Sequence, residues 1–577
     1  RATADSQLLF YRDGLTATVS VHREGPTTLL RVNGKTDASN GVDMHMQLML
    51  AHLPLLLHPD ARSVLVIGLG SGVTAGAAAT HPVERVDVVE IESAVVEAAG
   101  FFTQESRDVL KSPKLRLAIG DARNYMLAAD RRWDVIVSEP SNPWIGGVAT
   151  LFSEEFYALA RSRLAPGGVM VQWIDGYTIR PADLKMVVKT FRTAFPATTV
   201  WHAHGAADFM LVGSVQPRPL DLRRVEAAWG TSPALKEDFQ RLGFRGPWAF
   251  LADFLLAEPD AARLTLGADL NTDDLLPLEF SAPKSLHGDT AATNYRMVRA
   301  FRTGELPLLA DGGAALLETA AAQHDLGVAY LRKNLPAEAA ARFERALARD
   351  AAHLPSWLDL GRAQLRLDQP VRAIETLQAA AKHDPRSAET QALLARAWQQ
   401  QGLPARALEA AQAAVRLAPD EPGHRVLLAG LLEQQGRPLE AVEHYLTARP
   451  RRPRDVALLQ SLAAAYTRLG RAADAVATLE AAVDIQPDDG ALLHRLGRAY
   501  LAVNQPPKAV QALTRAVGRA PLLAPAHADL GLAYLGAGDP FAAIAALERA
   551  LALDPGQAAA AQLLGEINAR LYGGKTS

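Results

Sequence analysis

The chain has 577 residues, a formal net charge of −3 and no cysteine. It is too long for one hydrophobic core and implies three or more domain-sized units, and its balanced charge argues against a nucleic-acid partner. Without cysteine there are no disulfides, no thiolate catalysis and no cysteine metal sites, and no run of about 18 apolar residues is present to span a membrane.

The opening Arg1-Ala2-Thr3 has neither an initiator methionine nor the apolar core of a signal peptide. It reads as the start of an excised fragment, so attachment to a longer membrane protein stays open beside the cytoplasmic location that is expected. Residues 1–63 read as a small β domain with a leading helix. Strand candidates at 8–11, 17–22 and 28–32 are separated by Asp13-Gly14 and Gly25-Pro26, and Asn33-Gly34 supplies a further tight turn before Lys35-Thr36-Asp37. The helix covers 44–57. Its Met44, Met46 and Met49 read as core, with a methionine-lined substrate wall as the alternative. His45 and His52 share a helical face without a third ligand, so no metal site is assigned.

Residues 64–283 alternate strand and helix signals on the period of a Rossmann-like, class I methyltransferase-type α/β domain. A buried strand at 64–67 runs into Gly68, Gly70 and Gly72 and then a small-residue helix at 74–80. Glycines there permit a tight turn and close approach of a ligand. The next strand ends in Glu90, placed to accept hydrogen bonds from the two ribose hydroxyls of an adenosine. The strand at 115–119 ends in Gly120-Asp121-Ala122, where a carboxylate and backbone groups can read an adenine. After the strand at 135–137, the loop holding Glu139, Asn142 and Trp144 forms a polar ledge on the edge of the sheet where function concentrates. Asp175 and Tyr177 form a second loop there.

From about Leu8 to Pro283 these residues resemble the spermidine synthase (polyamine aminopropyltransferase) family, most of all its divergent bacterial members fused to membrane segments. The resemblance implies transfer of an aminopropyl group from decarboxylated S-adenosylmethionine to an amine, with release of methylthioadenosine. It implies nucleoside contacts from Gly68 to Val73, Glu90, Asp121 and Ala122, and it aligns Glu139 with the catalytic aspartate. The departures lie at the substrate end. Ser71 stands where the family carries the acid that holds the aminopropyl tail, Asn142 replaces a second acid, and the family's Tyr-His-Glu segment falls on Gln47-Leu48-Met49. Substrate contacts are therefore expected from Asn142, Trp144, Asp175, Tyr177 and Ser71 in an acid-poor pocket. Two alternatives stay open: intact S-adenosylmethionine used for methyl transfer, cleavage or cyclisation, and a non-catalytic nucleoside-binding scaffold.

Residues 284–319 read as a helical connector. From 320 to 557 the period is 34 residues: Gly327, Gly361, Ala395, Ala429, Ala463, Gly497 and Gly531 recur where two helices cross too closely for a large side chain. This is the tetratricopeptide pattern in seven repeats, an all-α solenoid whose concave surface is expected to bind a protein or peptide. Residues 558–577 supply a capping helix and tail. A homodimer is left open.

Overall fold

The computed structural model describes residues 6–143, 145–203, 208–285 and 288–572. Two compact units divide the chain, Arg1–Ser356 and Trp357–Ser577.

The first unit begins with an antiparallel meander of β1 (Gln7–Asp13), β2 (Thr18–Glu24), β3 (Thr27–Val32) and β4 (Lys35–Ser39). Alternation is plain in β3, where Thr28, Leu30 and Val32 are buried in turn. Asn33 and Gly34 join β3 to β4 with φ of 51° and 80°, the doubly left-handed turn that matches strand twist. Helix α1 (Met44–Leu57) is buried from Met44 to Leu56, which explains why its apolar residues do not keep to one face.

An eight-stranded sheet follows, built from β5 (Ser63–Ile67), β6 (Arg85–Glu90), β7 (Leu115–Ile119), β8 (Trp133–Ser138), β9 (Leu164–Ile174), β10 (Ala197–His202), β11 (Phe209–Ser214) and β12 (Phe254–Leu256). Its order is β12-β10-β11-β9-β8-β5-β6-β7. Strands β5 to β9 run parallel, while β11, β10 and β12 add antiparallel to the β9 edge. Helices α2 (Val73–Thr80), α3 (Ser93–Ala99), α4 (Ala122–Ala128), α5 (Glu154–Arg163) and α6 (Pro181–Ala194) make the crossovers. The order reverses at β5, between β6 and β8, and such a switch point opens a crevice at the carboxyl ends of the strands. Pro166-Gly167-Gly168, a run that favours a turn, lies inside β9. A register shift between Trp133↔Leu164 and Val135↔Val169 absorbs it as a bulge.

The connector and the first helix pair, Ala320–Arg332 and Pro336–Arg349, belong to this same unit. Leu220 bridges to Leu309. The Asn294 amide donates to the carbonyls of Gly176 and Ile179 at 2.8 and 2.7 Å. Lys333, 5% exposed, pairs with buried Asp253 at 3.0 Å and donates to the His202 carbonyl at 2.8 Å. The other oxygen of Asp253 meets His45 Nε2 of α1 at 2.7 Å. Burial alone would raise the Asp253 carboxyl, but the Lys333 charge and His45 outweigh it and hold the group down to about 2.

The second unit is an all-α solenoid. Its helix pairs begin at Leu354, Ala388, Pro422, Val456, Gly490 and Ala524, and Ala558–Tyr572 closes the series. One apolar core runs from Ala373 to Ala546. The glycines at the helix crossings are sterically required: a Cβ on Gly361 would lie 2.7 Å from Leu377, on Gly497 2.4 Å from Leu513, and on Gly531 2.6 Å from Leu547. In chain order the protein is a small β meander, an α/β Rossmann-like core and an all-α tetratricopeptide solenoid. Among the described residues no helix is long and apolar enough to cross a membrane.

Two outcomes follow. Lys333→Ala leaves a buried carboxylate without its ammonium and lowers the stability of the first unit by about 3–5 kcal/mol, read from a urea transition that reports tryptophan fluorescence. Gly497→Val overpacks the helix crossing and costs the second unit about 1–3 kcal/mol, read from the midpoint of its helical circular-dichroism transition.

Candidate active site

The loops after β5, β6, β7, β8 and β9 converge with the meander on a cavity of about 370 Å³. Gly68 continues β5 with φ of 92°, and a Cβ there would fall 2.5 Å from the carbonyl oxygen of Glu139. Glycine is thus needed for the loops after β5 and β8 to touch. Gly70 and Gly72 also have positive φ, 52° and 80°. Gly68, Gly70 and Ser71 line the cavity. Gly72 instead caps α2 from behind, where a Cβ would meet Val109 at 3.2 Å.

Glu90, 6% exposed, ends β6 at the cavity wall. One of its oxygens accepts from Leu69 N–H at 2.8 Å and the other from Glu92 N–H at 2.9 Å. Each carboxylate oxygen keeps a second lone pair for a ligand hydroxyl. Burial raises the Glu90 carboxyl from its ordinary value, against these backbone donors. Glu92 faces the meander: it accepts from Thr16 N–H and Oγ1 at 2.8 and 2.9 Å and caps α3 through Ala94 N–H at 3.1 Å. Asp121 caps α4 through Asn124 N–H at 2.8 Å, and both Asp121 and Ala122 line the cavity.

Glu139 also lines the cavity. Burial pushes its carboxyl up to about 7, partly offset by the Thr74 hydroxyl at 2.6 Å, with Asp37 and Asp43 adding to the rise. The same hydroxyl lies 3.0 Å from the Gln47 carbonyl. A threonine has one hydroxyl hydrogen, so two acceptors compete for it and the offset stays incomplete. Asn142 is 1% exposed, and its Oδ1 has no hydrogen-bond partner among the described residues. It lines the cavity. Trp144 lies outside the described residues.

At the early helix, Gln47 lines the cavity, accepts from the Ser71 hydroxyl and donates to the Ser39 carbonyl at 3.0 Å. Met46 joins it on the cavity wall, while Met44 and Met49 are core. His45 pairs with Asp253, and His52 bridges His81 at 2.8 Å and Asp238 at 3.0 Å.

The loop after β9 divides its two candidates. Tyr177 lines the cavity. Asp175 does not: its oxygens accept from Tyr177 N–H at 2.7 Å, Thr178 N–H at 3.0 Å and the Thr178 hydroxyl. It shapes the loop that presents Tyr177, an Asx turn. Asp273 is tied to Arg123 through both oxygens, away from the cavity.

Sequence reasoning missed three carboxylates. Asp37 on β4 and Asp43 before α1 line the cavity, as does Asp208 at the start of the β11 arm. Burial raises Asp37 and Asp43 from their ordinary values. It pushes Asp208 up to about 8, with the neighbouring Asp175 and Asp43 charges adding to the rise. The Ser141 hydroxyl bonds Asp37, and the Ser39 hydroxyl bonds Asp43 at 2.5 Å. A pocket expected to be poor in acid holds Asp37, Asp43, Glu139 and Asp208 together. No local motif marks these acids; only the fold of the meander onto the sheet collects them.

Residues 44–203 match a known family model. The match is to the spermine/spermidine synthase domain. Tetratricopeptide repeat models match 330–397, 425–490, 466–531 and 524–557. A spermidine synthase from Dictyostelium discoideum is 31% identical over 29% of this chain and 59% of its own length. Polyamine aminopropyltransferase 1 from Pseudomonas aeruginosa is 40% identical over 21% of this chain and 43% of its own. The chain thus spans less than two thirds of these curated relatives. A solved structure of spermidine synthase from Thermotoga maritima aligns with a TM-score of 0.38 at 20% identity, over 45% of this chain and 88% of that one. The narrower resemblance to membrane-fused members is overturned: the matched segments are a synthase domain and tetratricopeptide repeats, and no described helix is long and apolar enough for a membrane.

If Glu139 acts as a base it must be ionised, so turnover falls below about pH 7 and rises above it. Thr74→Val removes the hydroxyl that favours the ionised form, and the acid limb of the kcat/KM profile moves to higher pH. A limb that stays in place separates Thr74 from Glu139.

Proposed function

We propose that the first unit transfers an aminopropyl group from decarboxylated S-adenosylmethionine to an amine, releasing methylthioadenosine. The observation that carries this reading is the set of four carboxylates, Asp37, Asp43, Glu139 and Asp208, lining one cavity with the glycine loop and Glu90. The donor brings a sulfonium and an ammonium, and the acceptor is itself an amine, so both partners are cations that such a wall attracts. Glycine loop, Glu90, Asp121 and Ala122 take the nucleoside. Ser71 is occupied by Gln47, and Asp37 on β4 and Asp43 before α1 supply the negative charge that the loop lacks. This favours a donor without a carboxylate over intact S-adenosylmethionine.

In the reaction a carbon–nitrogen bond forms as the carbon–sulfur bond breaks, and its electron pair stays on sulfur as a neutral thioether. The attack needs the amine neutral and in line, at roughly 3–3.5 Å. Glu139 takes the proton that the amine must lose, and a carboxyl poised near neutral pH suits that exchange. Asn142, with an unpartnered Oδ1 in the cavity, orients the acceptor. The repeats of the second unit recruit a protein or peptide and take no part in the chemistry.

Mass spectrometry of products from each donor with a panel of amines tests the reading. Methylthioadenosine together with an aminopropylated amine is the expected result. S-adenosylhomocysteine instead means methyl transfer, methylthioadenosine with no modified amine means cleavage or cyclisation, and no product means a binding scaffold. Glu139→Gln lowers kcat by about 10²–10⁴-fold with donor affinity nearly unchanged, the usual size of a general-base contribution. Full activity in that variant removes Glu139 from the role.

A further inference from the structure

A second cavity of the first unit, about 330 Å³ in volume, shares no lining residue with the candidate active site. Its wall is made by Arg299 and residues 302–305 of the connector and by Tyr330, Glu338 and Arg342 of the first helix pair. Both acids in this wall are paired. Glu305 meets Arg342 at 2.8 Å and, from outside the wall, Arg345 at 2.7 Å. Glu338 pairs with Arg299. Arg302 has no carboxylate within ion-pair distance among the described residues. Four guanidiniums thus meet two carboxylates, and two positive charges are left over. Behind the loop Asp260 is matched by Arg263, so it does not cancel them.

The wall also holds unused donors. Tyr330 is 2% exposed, and its hydroxyl accepts from Arg302 Nη2 at 3.3 Å. A phenol both accepts and donates, yet its hydrogen has no acceptor among the described residues. Arg302 gives Nε and Nη2 to the carbonyls of Gly304 and Glu305 at 2.9 and 3.1 Å, which leaves Nη1 unengaged. Arg342, 3% exposed, lies over the Tyr330 ring at 5.9 Å and donates to Gln323 at 3.2 Å. The Thr303 N–H and hydroxyl donate to Asp260 at 3.1 and 2.7 Å, so the loop that carries Arg302 is fixed in advance. A buried phenol hydrogen beside an uncompensated guanidinium suits a ligand oxygen that bears negative charge. Guanidinium matches carboxylate and phosphate alike, and the leftover charge decides between them. A phosphate monoester carries close to two negative charges at neutral pH, where a carboxylate carries one.

We propose that this cavity binds a small phosphate ester, whose phosphate oxygens accept from the Tyr330 hydroxyl and from Arg302 Nη1. The volume admits a phosphate together with a modest organic remainder. Bound there, the phosphate bridges the connector to the first helix pair inside the first unit. The site is separate from the candidate active site and does not depend on the aminopropyl-transfer reading.

The test is titration calorimetry of the full chain with inorganic phosphate, methyl phosphate and acetate as probes. All are run at one ionic strength and at about pH 7.5, where a phosphate monoester is a dianion. The expected result is saturable binding of both phosphates at one site per chain, with acetate weaker. Arg302→Met and Tyr330→Phe each lower phosphate affinity by about tenfold or more, the size of a lost hydrogen bond to a charged group. Arg302 also holds two loop carbonyls, so Arg302→Met can fail to fold; Tyr330→Phe keeps the ring in place and then decides alone. Absence of saturable phosphate binding in the wild-type chain overturns the proposal. So does unchanged phosphate affinity in folded Tyr330→Phe, which places any bound phosphate elsewhere. Acetate bound as tightly as methyl phosphate overturns the assignment to a phosphate ester.

Discussion

One carboxylate, that of Glu90, holds the two loops on which the cavity depends. Its oxygens accept from Leu69 N–H and Glu92 N–H, so the glycine loop after β5 and the turn into α3 are fastened to a single group at the switch point of the sheet. Glu92, positioned by that turn, then reaches the Thr16 backbone and brings the meander down over the site. Gly14 can lie beside the Glu92 carboxylate because it has no side chain; a Cβ would be 2.2 Å from it. The order of the parts is therefore sheet, then Glu90, then Glu92, then the β hairpin, each step a hydrogen bond to a buried or half-buried acid. Buried carboxylates in such numbers are costly unless they are paired. Here backbone donors and hydroxyls supply the pairing for Glu90, Glu92, Asp37 and Asp43.

The part of the cavity lined by Gly68, Glu90 and Asp121 was legible because its determinants are local. Gly68, Glu90 and Asp121 each end a strand of a repeating strand–helix unit, and period and turn chemistry place strand ends well. The acid half was not legible. Asp37 sits on a half-buried strand, Asp43 before a helix and Asp208 beside an antiparallel arm, and nothing in the sequence near any of them announces the other two. Asp175 shows the opposite difficulty. An aspartate at a strand end looks available for a ligand, yet followed by Gly-Tyr-Thr it folds its carboxylate back onto the N–H groups of Tyr177 and Thr178. The antiparallel strand at Ala197–His202 was missed because its Ala-Thr-Thr start gives little apolar signal, whereas Phe209–Ser214, its partner, is buried throughout.

In the repeats, sequence and structure agree for a simple reason. Each glycine at a helix crossing faces a large residue 16 positions later, as Gly361 faces Leu377, Gly497 faces Leu513 and Gly531 faces Leu547. A period of 34 residues therefore carries its own packing partner within it, and the pattern needs no distant information to be read.

The pairing of Lys333 with Asp253 makes the junction between sheet and repeats part of the fold. Asp253 belongs to the sheet region and Lys333 to the first helical repeat, and His45 shares one oxygen of the carboxylate. A recombination event that cut the chain anywhere in the connector would separate two halves of one buried ion pair. The two modules are therefore no longer interchangeable parts. The core and its first repeat are thus one block, held by an ion pair whose separation would leave a buried charge on each side.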